Sequence, residues 1–418
     1  MIAASVAVTG VGILLAVNFM GGEKKIEQRI TKLYSLDDPR FKHELGVLLG
    51  PAFVEGNLPK VLRNGDEIFP PMLAAIRAAR ATITFETYIY WSGDIGREFA
   101  SALADRARQG VKVHVLLDWV GSAKIDESIV SGMAAAGVQI KKFHPPHWYH
   151  LGRMNNRTHR KLLVVDGRIA FTGGVGIATE WTGNAQNPAH WRDTHFQVEG
   201  PVVAQMQAVF LDNWIKVTGD VLHGADYFPV LAPAGPALAQ MFSSSPSGGS
   251  ESMQLMYLLA ITAASKSIDL SAAYFVPDRL AVSALVDAMK RGVKLRIVVP
   301  GEHIDSETVR GASRATWGPL LEGGAVIAEY RPTMYHCKVL IVDGLLVSVG
   351  STNFDNRSFR LNDEATLNLI DRQFATEQTA IFEVDLAAAR PVTHKEWKER
   401  PLKEKFSERF ASFVGSQL

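Results

Sequence analysis

Hydrophobic and polar positions along the chain spell out one alternation of elements twice. Asn64-Gly65-Asp66-Glu67 opens an amphipathic stretch over residues 69–79, with Phe69, Met72, Leu73 and Ile76 at helical spacing. It leads into residues 81–90, rich in β-branched and aromatic side chains and predicted as a strand. A helix over 96–109 should stop at Gly110, as helices often stop at glycine, and 111–118 reads as the next strand. A further helix over 129–136 precedes Gly137-Val138-Gln139-Ile140, and a loop rich in proline, histidine and aromatic residues, 143–157, follows. After the serine- and glycine-rich run 243–250 the same order returns, with helix 253–264, strand 267–275, helix 280–290 and strand 293–299. Gln109-Gly110-Val111-Lys112-Val113 and Arg291-Gly292-Val293-Lys294-Leu295 are one phrase written twice. Strands alternating with helices predict α/β architecture, here two pseudo-symmetric α/β domains, each a mixed sheet flanked by helices. The repeat is far longer than the roughly 20–50 residues of a solenoid, so a site is expected at the interface between two domains. The expected boundaries are 23–60 for a connector, 61–242 for the first domain and 243–418 for the second.

Each copy closes on a predicted β-hairpin. The first is His159-Arg160-Lys161-Leu162-Leu163-Val164-Val165-Asp166-Gly167 and the second His336-Cys337-Lys338-Val339-Leu340-Ile341-Val342-Asp343-Gly344. Asp-Gly between two apolar runs is a strong hairpin signal. Alternation along a strand turns His and Lys to the same side and the residue between them to the other layer. If the hairpins face each other, the cleft holds two histidines and two lysines.

At 418 residues the chain exceeds one typical core, and 47% hydrophobic with 21% charged residues fits a globular protein. A formal net charge of +1 argues against a dedicated nucleic-acid binder. Cys337 is the sole cysteine, which excludes an intramolecular disulfide, and its place between His336 and Lys338 predicts a buried core thiol. Residues 2–20 carry no charged side chain and approach the ~20 needed to cross a bilayer. With Lys24-Lys25 following, residues 1–22 are expected to form a single N-terminal membrane anchor that leaves the catalytic domains on the cytoplasmic side of the cell (inner) membrane. A cleaved signal and a buried helix are the alternatives. At the other end, Trp397, Leu402, Phe406, Phe410 and Phe413 recur among Lys398, Arg400, Lys403, Lys405 and Arg409, the pattern either of an interfacial amphipathic helix or of a helix packed on its own domain.

Two lysines suit the non-bridging oxygens of a phosphoryl group. One imidazole can attack phosphorus, while the other serves in turn as general acid and base. No metal and no cofactor are needed for this division of labour. Each histidine should have an acidic partner that sets its tautomer, and Asp193 and Glu364, downstream of the two hairpins, are the candidates. The site around His336 is expected to include His159, Lys161, Glu364 and Asn353. Asp166 and Asp343 belong to the repeated motif, with a second reading as caps of their own turns. Gly173-Gly174 and Gly350-Ser351-Thr352-Asn353 close the second strands, where small residues let backbone approach a phosphate.

The paired His-x-Lys-(x4)-Asp pattern resembles the phospholipase D superfamily. The flanks Asn64-Gly65-Asp66-Glu67, Phe85-Glu86-Thr87-Tyr88-Ile89, Tyr274-Phe275-Val276-Pro277 and Asn353-Phe354-Asp355-Asn356-Arg357-Ser358-Phe359 look like those of bacterial cardiolipin synthases. The resemblance covers roughly residues 63–371. It implies a metal-free phosphohistidine mechanism, with His159 as nucleophile and His336 as acid/base, the assignment being reversible by pseudo-symmetry. One place departs from the pattern: where Asn353 stands two residues after Ser351, the first copy has Gly176. By this resemblance the expected activity is phosphatidyl transfer between phospholipids at a membrane, with phosphatidylglycerol as the favoured substrate. Hydrolysis of phospholipid is the alternative, and a nucleic-acid substrate is disfavoured by the near-neutral charge. Nothing in the sequence sets the oligomeric state.

Overall fold

In the computed structural model, which describes residues 9, 12, 26, 28–32, 34–145, 156–246 and 251–414, the two copies lie side by side in one continuous sheet. The first copy runs β1 (Val54–Arg63), helix Asn64–Ala78, β2 (Thr82–Thr87), helix Asp94–Arg108, β3 (Lys112–Asp118), helix Glu127–Ala135 and β4 (Gln139–Phe143). The short β5 (Arg157–Thr158), the hairpin of β6 (Leu162–Val165) and β7 (Ile169–Gly173), β8 (Thr194–Glu199) and helix Val202–Thr218 complete it. The second copy opens with β9 (Ala237–Ser244), helix Glu251–Ala263, β10 (Ser267–Ala272), β11 (Phe275–Val276), helix Arg279–Lys290 and β12 (Lys294–Pro300). After helix Glu307–Ala315 come β13 (Val326–Tyr330), the hairpin of β14 (Lys338–Val342) and β15 (Leu346–Gly350), β16 (Phe354–Asp355), β17 (Asn362–Ile370), helix Arg372–Ala387 and β18 (Ala389–Val392).

Across the sheet the order is β4-β3-β2-β6-β7-β8-β1 and then β9-β17-β15-β14-β10-β12-β13-β18. In each copy three strands are parallel (β2, β3 and β4; β10, β12 and β13), and such strands require the helical crossovers that the alternating pattern predicts. Coverage on both faces explains why every residue of β2 and of β14 is buried. The copies meet where β1 and β9, the first strand of each, pair antiparallel across a pseudo-twofold axis. The mixed sheets of the two copies join edge to edge as one, because the leading strand of each copy has a free edge and each satisfies the other's backbone groups. Residues 23–60, expected as a connector, contribute helix Pro39–Leu49 and most of β1, and the expected boundary at 242/243 falls inside β9.

Both hairpins turn through Asp-Gly with positive φ at each residue, 53° and 60° at Asp166-Gly167 and 54° and 58° at Asp343-Gly344. Two successive left-handed residues match the right-handed twist of the flanking strands. The aspartate side chains do more than cap these turns. The Asp166 carboxylate accepts the backbone N–H groups of Arg80, Ala81 and Thr82, and that of Asp343 accepts those of Ser265, Lys266 and Ser267, all at 2.7–3.2 Å. Each pins the start of a neighbouring strand. At ~3.3 Å per residue each also lies about 20 Å along the chain from its motif histidine, so its inclusion among the catalytic residues is corrected to a scaffolding role.

Cys337 is 1% exposed, and burial pushes its thiol up to about 12, in keeping with an inert core residue. The expected anchor lies outside the described residues apart from Thr9 and Gly12, and residues 146–155 of the loop before the first hairpin also lie outside them. Among the described residues no helix is long and apolar enough to cross a membrane.

Candidate active site

Short segments crossing between the copies deliver the histidines. β5 runs parallel to β17, with Arg157 opposite Asn362 and Thr158 opposite Asp363, and the His159 N–H donates to Asp363 O at 2.9 Å. On the other side Arg192 bridges to Tyr335, and the His336 N–H donates to Arg192 O at 2.8 Å. Each histidine is thus hydrogen-bonded to the residue that precedes an acid of the opposite copy.

The acidic partners are consequently exchanged. His159 Nδ1 lies 2.9 and 3.1 Å from the two Glu364 oxygens, and His336 Nδ1 lies 2.7 Å from Asp193 Oδ2. The expected association of Glu364 with His336 is corrected: the carboxylate beside each imidazole comes from the other half of the chain. Each acid is itself held. Glu364 accepts Ser351 Oγ at 2.5 Å and Asn362 Nδ2 at 3.3 Å; Asp193 accepts Trp181 Nε1 at 2.9 Å and the Thr194 N–H at 2.8 Å. A carboxylate at Nδ1 keeps the proton on that nitrogen and leaves the Nε2 lone pair for chemistry.

Small residues make room for this arrangement. A Cβ at Gly174 would lie 2.1 Å from Asp193 Oδ1, and one at Gly173 would lie 2.6 Å from His195 Cα. Ser351 occupies the place equivalent to Gly174 and donates to Glu364, whereas Trp181 supplies the corresponding bond to Asp193. Gly174→Ala is expected to displace Asp193 from His336 and lower turnover by about 100-fold, the scale of a 1 Å misplacement in a catalytic constellation. Steady-state kinetics beside a melting curve would check this, and an unchanged kcat would refute it. A Cβ at Gly176 would meet Ile89 Cβ at 2.8 Å, so the first copy has no space for the counterpart of Asn353. Asn353 itself is buried, with its Oδ1 unpartnered and its backbone N–H 3.2 Å from Ser358 Oγ.

Lys161 Nζ donates to His159 O at 2.8 Å and Lys338 Nζ to His336 O at 2.8 Å, folding each ammonium back over its own histidine. Lys338 Nζ also lies 3.2 Å from both ring nitrogens of His336. Burial and the charge of Lys338 bring Lys161 down to about 7, and burial lowers Lys338 as well. Burial keeps both imidazoles neutral, at about 4 for His159 and about 3 for His336, the latter helped by the Lys338 ammonium. Burial opposes ionisation of Glu364 and Asp193, but the hydrogen-bonded imidazole beside each, with Lys161 near the first and Lys338 near the second, outweighs it and holds both carboxyls below their ordinary range. The result is two neutral imidazoles beside two buried lysines, whose ammonium forms a bound anion would stabilise.

Sequence reasoning missed the buttresses. Arg160 is fully buried, donating to Val209 O at 2.8 Å, Asp212 at 3.0 Å and, through Nε, the Glu364 carbonyl at 3.4 Å. Arg192 makes two 2.9 Å bonds to Asp385 and one of 2.6 Å to the Asp193 carbonyl. Each guanidinium thereby ties the backbone of an acid to the helix behind one copy, Val202–Thr218 or Arg372–Ala387. For Arg160 the signal was present as a charged residue between the motif His and Lys, where an apolar one is the norm for a buried layer, whereas the second motif has Cys337 in that place and Arg192 carried no such signal. Around the imidazoles, the Tyr88 ring stands 5.2 Å from that of His159, and Trp181 and Trp191 each stand 5.3 Å from His336.

The sequence matches the family described as cardiolipin synthase, PLD-like domain, over residues 72–214 and 257–386, one match in each copy. It is 35% identical over 361 residues to a cardiolipin synthase of Geobacillus kaustophilus, covering 86% of this chain and 72% of that protein. It is 34% identical over 363 residues to cardiolipin synthase A of Pseudomonas fluorescens, covering 87% and 75%. The fold is similar to that of a phosphatidylserine synthase from Haemophilus influenzae, with a TM-score of 0.69 at 14% identity over 91% of this chain and 100% of that one.

Proposed function

From the family to which the chain belongs, the cardiolipin synthase, PLD-like family, we infer that it is a phosphatidyltransferase of the cardiolipin synthase type acting on phospholipids. The substrate is phosphatidylglycerol at a membrane surface, and the reaction passes through a phosphohistidine. The observation that supports this reading best is the pair of buried, exchanged His–carboxylate contacts at Nδ1, with a lysine bonded to the carbonyl of each histidine.

Lys161 and Lys338 bind the non-bridging oxygens of the donor phosphodiester. His159, its Nδ1–H held by Glu364, attacks phosphorus through Nε2 as the bond to glycerol breaks. The arriving negative charge favours protonation of His336, which gives that proton to the departing glycerol oxygen. Glycerol leaves, and the terminal hydroxyl of a second phosphatidylglycerol takes its place. His336 removes the proton of that hydroxyl, its oxygen attacks phosphorus, and the N–P bond breaks to free His159 and the two-phosphatidyl product. Splitting the displacement into two steps gives each a good leaving group, glycerol assisted by an acid and then a phosphoramidate imidazole.

Incubating the purified protein with phosphatidylglycerol vesicles and analysing the lipids by mass spectrometry tests the reading. The expected products are cardiolipin and one glycerol per cardiolipin. Phosphatidic acid as the main product would replace the transferase with a hydrolase.

A further inference from the structure

The end of the chain carries an apolar stripe that the fold holds outward. Helix Leu402–Val414 packs on helix Glu307–Ala315, with Ala411 buried and a Cβ built at Gly311 only 3.3 Å from Ala411 Cβ. Glu408 is buried on that same side, 3.0 Å from Arg314 Nε and 2.6 Å from Arg400 Nε. These contacts fix the helix about its axis. At about 100° per residue, Leu402, Phe406 and Phe410 then fall within an arc of about 80° facing away from Ala411 and Glu408. They are 81%, 78% and 69% exposed. Lys405 and Arg409 border the stripe on one edge and Lys403 on the other, while Glu404 lies on the packed side, 3.8 Å from Arg314. Trp397, grouped with the stripe on sequence spacing, belongs elsewhere. It stands in a separate helix, His394–Glu399, against Gly318, with its Nε1 bonded to Arg314 O.

We propose that this stripe is a docking surface for a membrane carrying anionic lipid, with the three apolar side chains entering the acyl boundary and Lys403, Lys405 and Arg409 meeting the headgroups. The charge pattern selects this occupant over a second copy of the chain. Two such stripes face to face would bring six like charges together, whereas an anionic surface satisfies all of them. Of the two readings in the sequence, the packed helix describes the Ala411 and Glu408 face, and the proposal assigns the interfacial one to the opposite face. The proposal rests on the phospholipid reading only for its choice of vesicle, since docking requires no turnover.

The test uses the full chain with Phe406→Cys carrying a polarity-sensitive thiol dye. Cys337 does not compete, being 1% exposed. Phosphatidylglycerol vesicles are expected to shift the emission to the blue, and brominated acyl chains in those vesicles to quench it. Phosphatidylcholine vesicles should do so much more weakly, and the same dye on Val230→Cys, a site 98% exposed, should not respond. The shift should persist in a His336→Ala background, which separates docking from any failure of the proposed chemistry. An unshifted dye with phosphatidylglycerol vesicles would overturn the proposal, as would a shift that follows protein concentration without lipid, the mark of a second copy. As a functional arm, Phe406→Asp combined with Phe410→Asp should slow transfer about tenfold on vesicles and leave it unchanged on detergent-dispersed phosphatidylglycerol. Equal loss on both would assign these side chains a purely structural role.

Discussion

His159→Ala and His336→Ala are each expected to lower phosphatidyl transfer by at least about 1,000-fold, the scale lost when a nucleophile or a general acid is removed. The two variants should nevertheless fail differently. With a phosphatidyl ester of p-nitrophenol the leaving group departs without a proton, so the first step no longer needs an acid. His336→Ala should then form the phosphohistidine and accumulate it, because nothing activates the acceptor hydroxyl. His159→Ala should form none. Intact mass at neutral pH, with loss of the adduct on acidification, reads both outcomes. An adduct in His159→Ala and none in His336→Ala would exchange the roles of the two residues. Residual transfer in both variants without an adduct in either would sink the covalent mechanism.

The exchanged carboxylates make a second expectation, and it separates this geometry from an uncrossed one. Glu364→Gln keeps the shape of the side chain but removes the charge that holds the proton on Nδ1 of His159. The imidazole can then carry its proton on Nε2, the atom that must attack, and a loss of about 100- to 10,000-fold is expected. Asp193→Asn should cost overall transfer a similar factor through His336. The activated ester distinguishes them. Glu364→Gln should block adduct formation, whereas Asp193→Asn should leave formation nearly intact and slow only the breakdown. Rapid-quench measurement of the two half-reactions decides the matter. A reversed pattern would mean that each acid serves the histidine of its own copy.

Much of this was legible because it is local. The Asp-Gly turns at 166 and 343, the strand that follows each motif lysine and the duplicated helix–strand phrases all depend on neighbours within a few residues. The acids themselves were legible as candidates, since a buried imidazole needs one. Their assignment was not, because it depends on which strand of the other copy lies beside β5 and Tyr335. The same holds for Asp166 and Asp343. Sequence proximity suggests a turn cap, while the three amides they hold come from segments some 80 residues upstream. β1 escaped notice in residues 23–60 because Val54–Arg63 includes Gly56, Asn57 and Pro59, which weaken its strand pattern, and an edge created by pairing with β9 has no local signature. Gly176 was legible as a departure but not as a steric one, until Ile89 was found against it.

The exchange of acids between the copies also bears on how such a chain arises. One copy alone presents a histidine without its carboxylate and a carboxylate without its histidine, so a single-copy ancestor is competent only as a symmetric pair. Joining both copies in one gene lifts the requirement that they remain identical. Gly174 on one side and Ser351 on the other, with two indoles around one imidazole and a phenol beside its counterpart, are differences that no pair of identical chains could maintain. Fusion is what allows the surroundings of the two imidazoles to diverge, as the proposed division of labour between them requires.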